Sequence, residues 1–162
     1  MKRNFLKLIA TSPLWLCGKQ GFTHGNQSHS TAAPSREQKP WGIAGDAGAV
    51  QRSVTVTMSD RMRFSPDHLA LRLGETVRLR IHNQGALLHE LVLGDRATLD
   101  AHAALMLKFP DMEHDEPYMA HVPAGKTGGI VWHFNRAGQF EFACLIAGHY
   151  QAGMVGRISV AP

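Results

Sequence analysis

The chain has 162 residues and a formal charge of +4, the size of one ordinary domain. Residues 1 to 22 hold Lys2, Arg3, Lys7 and Lys19 and no acid, so without them the balance is +4 minus 4, or zero. A neutral remainder speaks against nucleic acid as a partner. Of the two cysteines, Cys17 lies in the same front segment, so a chain shortened there keeps only Cys144 and cannot form an internal disulfide.

Met1-Lys-Arg-Asn4 is basic, and residues 5 to 18 are mostly apolar but broken by Lys7 and Pro13. Residues 1–22 therefore read as an export signal. The run is too short for a membrane span, which needs about 20 apolar residues, so no stable membrane insertion is expected after its removal. Cys17 follows Leu16 instead of a small residue, which argues against lipid attachment, and no clean Ala-x-Ala cleavage site is visible. Residues 23–50, rich in Gly, Ser, Ala and Pro and containing His24 and His29, read as a flexible linker. Trp41 is the residue at which packing would begin.

From residue 51 short strands alternate with turns. Val54 and Val56 alternate with polar residues, and Phe64 to Leu71 is interrupted by Pro66. Thr76 to Ile81 places Val77, Leu79 and Ile81 on one face and Arg78, Arg80 and His82 on the other, so His82 is read as a solvated residue. Further strands are expected near 87–93, 119–122, 128–135, 139–145 and 154–160. Seven or eight short strands in about 110 residues predict an all-β fold, an antiparallel Greek-key sandwich over residues 51–162. One short helix is expected from Thr98, its N-cap, to Lys108, with Pro110 preventing continuation. An acidic loop, Phe109 to Pro117, follows it.

The densest chemistry lies near the end, where Cys144, His149 and Met154 form C-x4-H-x4-M. An extended chain would put the first and last of them roughly 33 Å apart. The segment must fold back for them to share one ion, and Gly148 and Gly153, each just before a candidate ligand, give the backbone freedom for that. Strand parity sends Cys144 inward with Phe140 and Phe142. A thiolate, an imidazole and a thioether suit a mononuclear copper site once a second imidazole completes a His2Cys set with a weak axial Met. His89, with the parity of Leu87, Leu91 and Leu93, is the best candidate. A lone inward histidine is more often a hydrogen-bonded core residue, but the downstream triplet reverses that reading. Zinc also accepts Cys and His, yet Met is a poor zinc ligand and copper(II) binds such sets more tightly.

These residues resemble the cupredoxin family of small blue-copper proteins over about residues 50 to 162. The resemblance is carried by Asn83-Gln-Gly85 before His89, Gly138-Gln-Phe-Glu-Phe-Ala-Cys144, Gly148-His149 and Gly153-Met-Val-Gly-Arg-Ile-Ser-Val160. It implies His89, Cys144 and His149 as equatorial ligands, Met154 as the axial one, and the edge of His149 as the route for an electron. The ligand loop is similar in length to those of rusticyanin and auracyanin. One departure is Glu90, where many members carry Asn or Ser able to reach the thiolate, so hydrogen bonding at the sulfur is an open question. Met112-Glu-His114 and Pro123-Ala-Gly-Lys-Thr127 look most like bacterial periplasmic cupredoxins linked to copper tolerance.

Met112, His114, Met119 and His121 repeat an M-x-H pair, and such side chains can hold Cu(I) without a thiolate. They form either a weak second copper site or a mixture of core and exposed residues. His24 and His29 either gather copper or are incidental to a soluble tail. Leu145, Ile146, Ala147 and Tyr150 flank His149 and form either an apolar docking patch or simple loop packing. The expected function is copper tolerance combined with one-electron transfer in the periplasm; the alternative is a dedicated carrier between respiratory or photosynthetic partners. A redox protein or a copper donor or acceptor is the expected partner of a monomer. Enzymatic turnover is not expected, because the chain has no H-x-H pair and Gly148 stands where a dinuclear copper site would need a second cysteine.

Overall fold

The computed structural model describes residues 36 to 162, apart from 111 and 113. The expected export signal, and His24 and His29 of the linker, lie outside the described residues. Among the described residues the strands are β1 (Ile43–Ala44), β2 (Arg52–Ser59), β3 (Arg63–Ser65), β4 (His68–Arg72), β5 (Glu75–Asn83), β6 (His89–Gly94), β7 (Met119–Val122), β8 (Thr127–Phe134), β9 (Gly138–Ala143) and β10 (Val155–Ala161), with one α-helix, α1 (Arg96–Lys108). They form two five-stranded sheets, ordered β1-β8-β5-β2-β3 and β4-β10-β9-β6-β7. In each sheet the two outermost strands are the shortest, with 2 and 3 residues in the first and 5 and 4 in the second.

The expected sandwich is present, with alternation setting its core. Val77, Leu79 and Ile81 of β5 face Leu91 and Leu93 of β6, Phe142 of β9 and Ile158 of β10 within one buried cluster. Each such side chain contributes about 1.5–3 kcal/mol by leaving water. Two pairings are parallel, β2 with β5 and β4 with β10. Parallel neighbours need a crossover, and here β4, between β2 and β5 in the chain, lies in the opposite sheet. The run from Phe64 to Leu71 divides around Pro66 into β3 and β4, one in each sheet.

Packing begins before residue 51. Trp41 and Ala44 are buried, and β1 pairs with β8. Trp132 Nε1 donates to Trp41 O over 3.0 Å, and Gln38 and Asn135 exchange two side-chain hydrogen bonds of 2.8 and 3.1 Å. The flexible linker expected through residue 50 therefore gives way to sandwich by Gln38. Two strand residues pairing with a distant strand leave no alternation to detect.

All six residues of β6 are buried. Leu91 and Leu93 enter the sandwich, while Val92 packs on the other side with Leu99, Ala103 and Met106 of α1, and with Met119, Ala143 and Leu145. A strand covered on both faces reads as a continuous apolar run, which is what Leu91-Val-Leu93 is. The N-cap lies three residues ahead of the expected Thr98: it is Asp95, its side chain accepting from Thr98 N over 2.8 Å. Strand β6 also starts late, leaving Leu87 and Leu88 exposed in the preceding loop.

Candidate metal centre

The ligand loop closes through its own backbone. Cys144 N–H donates to Met154 O over 3.1 Å, Met154 N–H to His149 O over 3.1 Å, and His149 N–H to Ile146 O over 2.9 Å. The reversals fall at Gly148 (φ 89°) and Gly153 (φ 86°), where a side chain would cost roughly 1–2 kcal/mol. Arg63 of β3 fastens the far side, its Nη1 donating to Ala152 O over 3.1 Å. Three of the four expected ligands are thus tied together locally, and Met154 is fully buried in the same core cluster as Cys144.

His89 reaches the loop from β6. Its Nδ1 lies 4.0 Å from Cys144 Sγ, and His149 Nδ1 lies 3.3 Å from that sulfur. The donor atoms of His89, Cys144 and His149 lie within 4.8 Å of one another, with His89 and Cys144 buried and His149 partly exposed. Two imidazoles and one thiol converging on a dry point fit a copper ion, and Met154, the fourth donor expected from sequence, is buried in the same core cluster as Cys144.

The orientation of His89 is fixed from a place the sequence did not reveal. Its Nε2 lies 3.0 Å from Asp60 Oδ1, in the turn between β2 and β3. With Nδ1 free to ligate, Nε2 carries the hydrogen and donates it to Asp60, which selects the tautomer. Asp60 also accepts from Ala86 N at 2.7 Å and Leu87 N at 3.2 Å. Those backbone donors and His89 hold its carboxyl below the usual range. A Cβ at Gly85 would collide with this carboxylate. Asn83, fully buried, pins the same loop: its Nδ2 donates to Leu87 O at 2.7 Å and Val122 O at 2.8 Å, and its Oδ1 accepts from Gly85 N at 2.9 Å.

Glu90 answers the question of hydrogen bonding at the sulfur. Its backbone N–H donates to Cys144 Sγ over 3.4 Å, so the contact comes from the main chain instead of from an Asn or Ser side chain. The Glu90 carboxyl points away, accepting Leu145 N–H over 2.8 Å on Oε1. Its Oε2 lies 2.8 Å from His121 Nε2 on β7.

Burial pushes the Cys144 thiol up to about 12, against the smaller opposing effect of the Glu90 and Ile146 amides. Burial also lowers His149, assisted by the neighbouring His89. The pocket thus favours a neutral thiol and a neutral imidazole, and a thiolate becomes stable there only with a cation beside it.

The four residues expected to offer an accessory copper site do not assemble as one ligand set. Met119 is buried beneath α1, His121 lies against Glu90, and Met112 is exposed. The helix covers the end of β7 that carries Met119, which takes its thioether into the core. His114 instead approaches His102 of α1, ring centres 4.5 Å apart, and His121 at 5.9 Å. Around His149, Leu145 is core and Tyr150 donates to Asp100 Oδ1 over 2.6 Å. For those two residues loop packing is the outcome.

No protein-family model matches the sequence. The copper-resistant cuproprotein CopI of Rubrivivax gelatinosus is 50% identical over 165 residues, spanning 99% of each chain. CopI of Pseudomonas aeruginosa is 35% identical over 160 residues, 81% of this chain and 87% of that one. The solved structure of auracyanin B matches with a TM-score of 0.62 at 22% identity, covering 79% of this chain and 100% of the other, a likeness of fold. Taken with the sandwich and the convergence of His89, Cys144 and His149, this similarity along nearly the whole length means that the chain belongs to the cupredoxin family, among the copper-resistant cuproproteins CopI.

Proposed function

We propose that this protein works in the periplasm in copper tolerance, holding one copper ion through His89, Cys144 and His149 with Met154 as a weak axial ligand, and that the centre can exchange single electrons with a partner. The observation that carries this is the approach of two imidazole Nδ1 atoms to one buried sulfur, all within 4.8 Å. Its CopI relatives, named for copper resistance, support the tolerance role.

Copper, when bound, supplies a one-electron couple between Cu(II) and Cu(I). The residues supply the rest. Asp60 and Asn83 hold His89 and its loop in place, the Glu90 amide donates to the sulfur, and Gly148 and Gly153 set the loop that carries His149. Because these contacts are made by the protein alone, little rearrangement would accompany a change of charge. His149 is the partly exposed member of the triad and is the natural edge for a partner to approach. A buried thiol raised to about 12 is unsuited to nucleophilic catalysis, which needs an activated thiolate, and we assign no turnover.

Purified protein loaded with copper(II) should be strongly coloured by thiolate-to-copper charge transfer and carry a copper that Cys144→Ala loses. A colourless, copper-loaded protein would refute the centre. A deletion strain should grow poorly in excess copper; unchanged growth would reject tolerance and leave the dedicated electron carrier.

A further inference from the structure

His89 is held by an acid where a neutral acceptor would serve. Any carbonyl oxygen could receive its Nε2–H and select the same tautomer, so orientation alone does not call for a carboxylate. Asp60 is ionised at neutral pH, and its Oδ1 stands 3.0 Å from Nε2. Only the width of one imidazole separates that charge from Nδ1, the nitrogen 4.0 Å from Cys144 Sγ. The charge is also fixed in place. Asp60 Oδ2 accepts from Ala86 N at 2.7 Å and Oδ1 from Leu87 N at 3.2 Å, so the carboxylate cannot swing away without giving up both amides.

The His89 side chain is fully buried, while that of Asp60 is 38% exposed. The charge therefore sits at the rim and acts inward through a dry ring, where it is screened less than between two exposed groups. At His149, burial and then His89 disfavour positive charge, while Glu90 and Asp60 favour it; the field of Asp60 thus spans the triad. Arg63 opposes it from the far side of the ligand loop, but its guanidinium is bonded to Ala152 O and not to a ligand side chain. A bound ion carries one more positive charge as Cu(II) than as Cu(I), the difference being one electron taken from the redox partner. A fixed anion beside one ligand favours the more positive form. We infer that Asp60 determines specificity for oxidation state: its charge selects Cu(II) over Cu(I) at the centre and holds the reduction potential below that of the same site with a neutral acceptor. This rests on the copper centre proposed above. The expected selection is about tenfold, which for one electron is about 59 mV.

The test uses the full chain. Affinities for Cu(II) and for Cu(I) are each measured by competition with a chelator of that oxidation state, in wild type, Asp60→Asn, Ala86→Lys and Asn83→Ala. Asp60→Asn keeps an acceptor for His89 Nε2–H and removes the charge. It should lose about tenfold more affinity for Cu(II) than for Cu(I), and its potential, titrated through the visible band, should rise by about 59 mV. Ala86→Lys puts a cation on an exposed residue beside the carboxylate and leaves Asp60 itself intact; it should move the ratio and the potential the same way by a smaller step. Asn83→Ala loosens the same loop without changing its charge, and should leave the ratio where it is. If Asp60→Asn and Ala86→Lys both keep the wild-type ratio, Asp60 only orients His89 and the selection is overturned. A ratio that Asn83→Ala moves as far as Asp60→Asn overturns it too, by tracing the shift to the loop. A wild type that holds copper without colour would instead sink the centre on which the selection rests.

Discussion

Neighbouring residues on β6 serve two different histidine clusters. His89 faces the sandwich, where its tautomer is set by Asp60 and its partners are a buried sulfur and an imidazole on a glycine-bent loop. Glu90 faces the helix side, toward His102, His114 and His121, which belong to three separate segments; the first two are partly buried and the third is exposed. The first cluster is built before any ion arrives, its donors within 4.8 Å. The rings of the second touch in pairs, 4.5 and 5.9 Å apart, but among the described residues their donor atoms do not gather about one point as those of the first do. Preorganisation suits a centre that changes charge without moving, and only the first cluster has it.

The largest expected break in this comparison comes from Cys144→Ala. It should abolish all thiolate-to-copper absorption, read from a visible spectrum. Next is the orienter: Asp60→Asn should weaken copper affinity at the first cluster about 10- to 100-fold, measured by competition with a chelator. Asn83→Ala, which removes a buried amide joining three backbone groups, should destabilise the domain by about 1–3 kcal/mol, read from urea unfolding.

Protons separate the clusters more finely. The Cys144 thiol is pushed up to about 12, so it is protonated throughout the neutral range and must lose its proton to ligate. Copper uptake there should release one proton that Cys144→Ala does not, with apparent affinity rising about tenfold per pH unit across neutrality. His102 is lowered, first by burial and then by His114, so its ring is neutral at pH 7. A pH-stat titration checks the proton released at Cys144. The smallest effect is expected from Tyr150→Phe, which removes the bond between the ligand loop and Asp100 on α1; a slight fall in Tm with an unchanged visible band is the outcome.

What the sequence reveals follows the range of each interaction. Cys144, His149 and Met154 share one loop, and glycine before each of the last two announces the bends, so their proximity was legible. His89 was legible through its parity with Leu91 and Leu93. Asp60 was not, because it meets His89 across a turn 29 residues away and an exposed Ser-Asp turn carries no mark of such a role. Glu90 was visible as a departure, but an acid in that position does not reveal that its amide would serve the sulfur while its carboxyl turned the other way. The M-x-H repeat suggested that both pairs act together; α1 instead covers Met119 and brings His102, which no spacing pattern linked to His114. Likewise, alternation located most strands but could not show that β2 and β5, or β4 and β10, run side by side in parallel.

Each sheet ends in its shortest strands. Unpaired backbone along a sheet margin is a template on which another copy can extend the ladder, and stubby margins offer little length for it. Crowding such molecules together therefore gives little encouragement to fibre growth, and a concentrated pool can remain dispersed while its sulfur stays shielded inside each molecule.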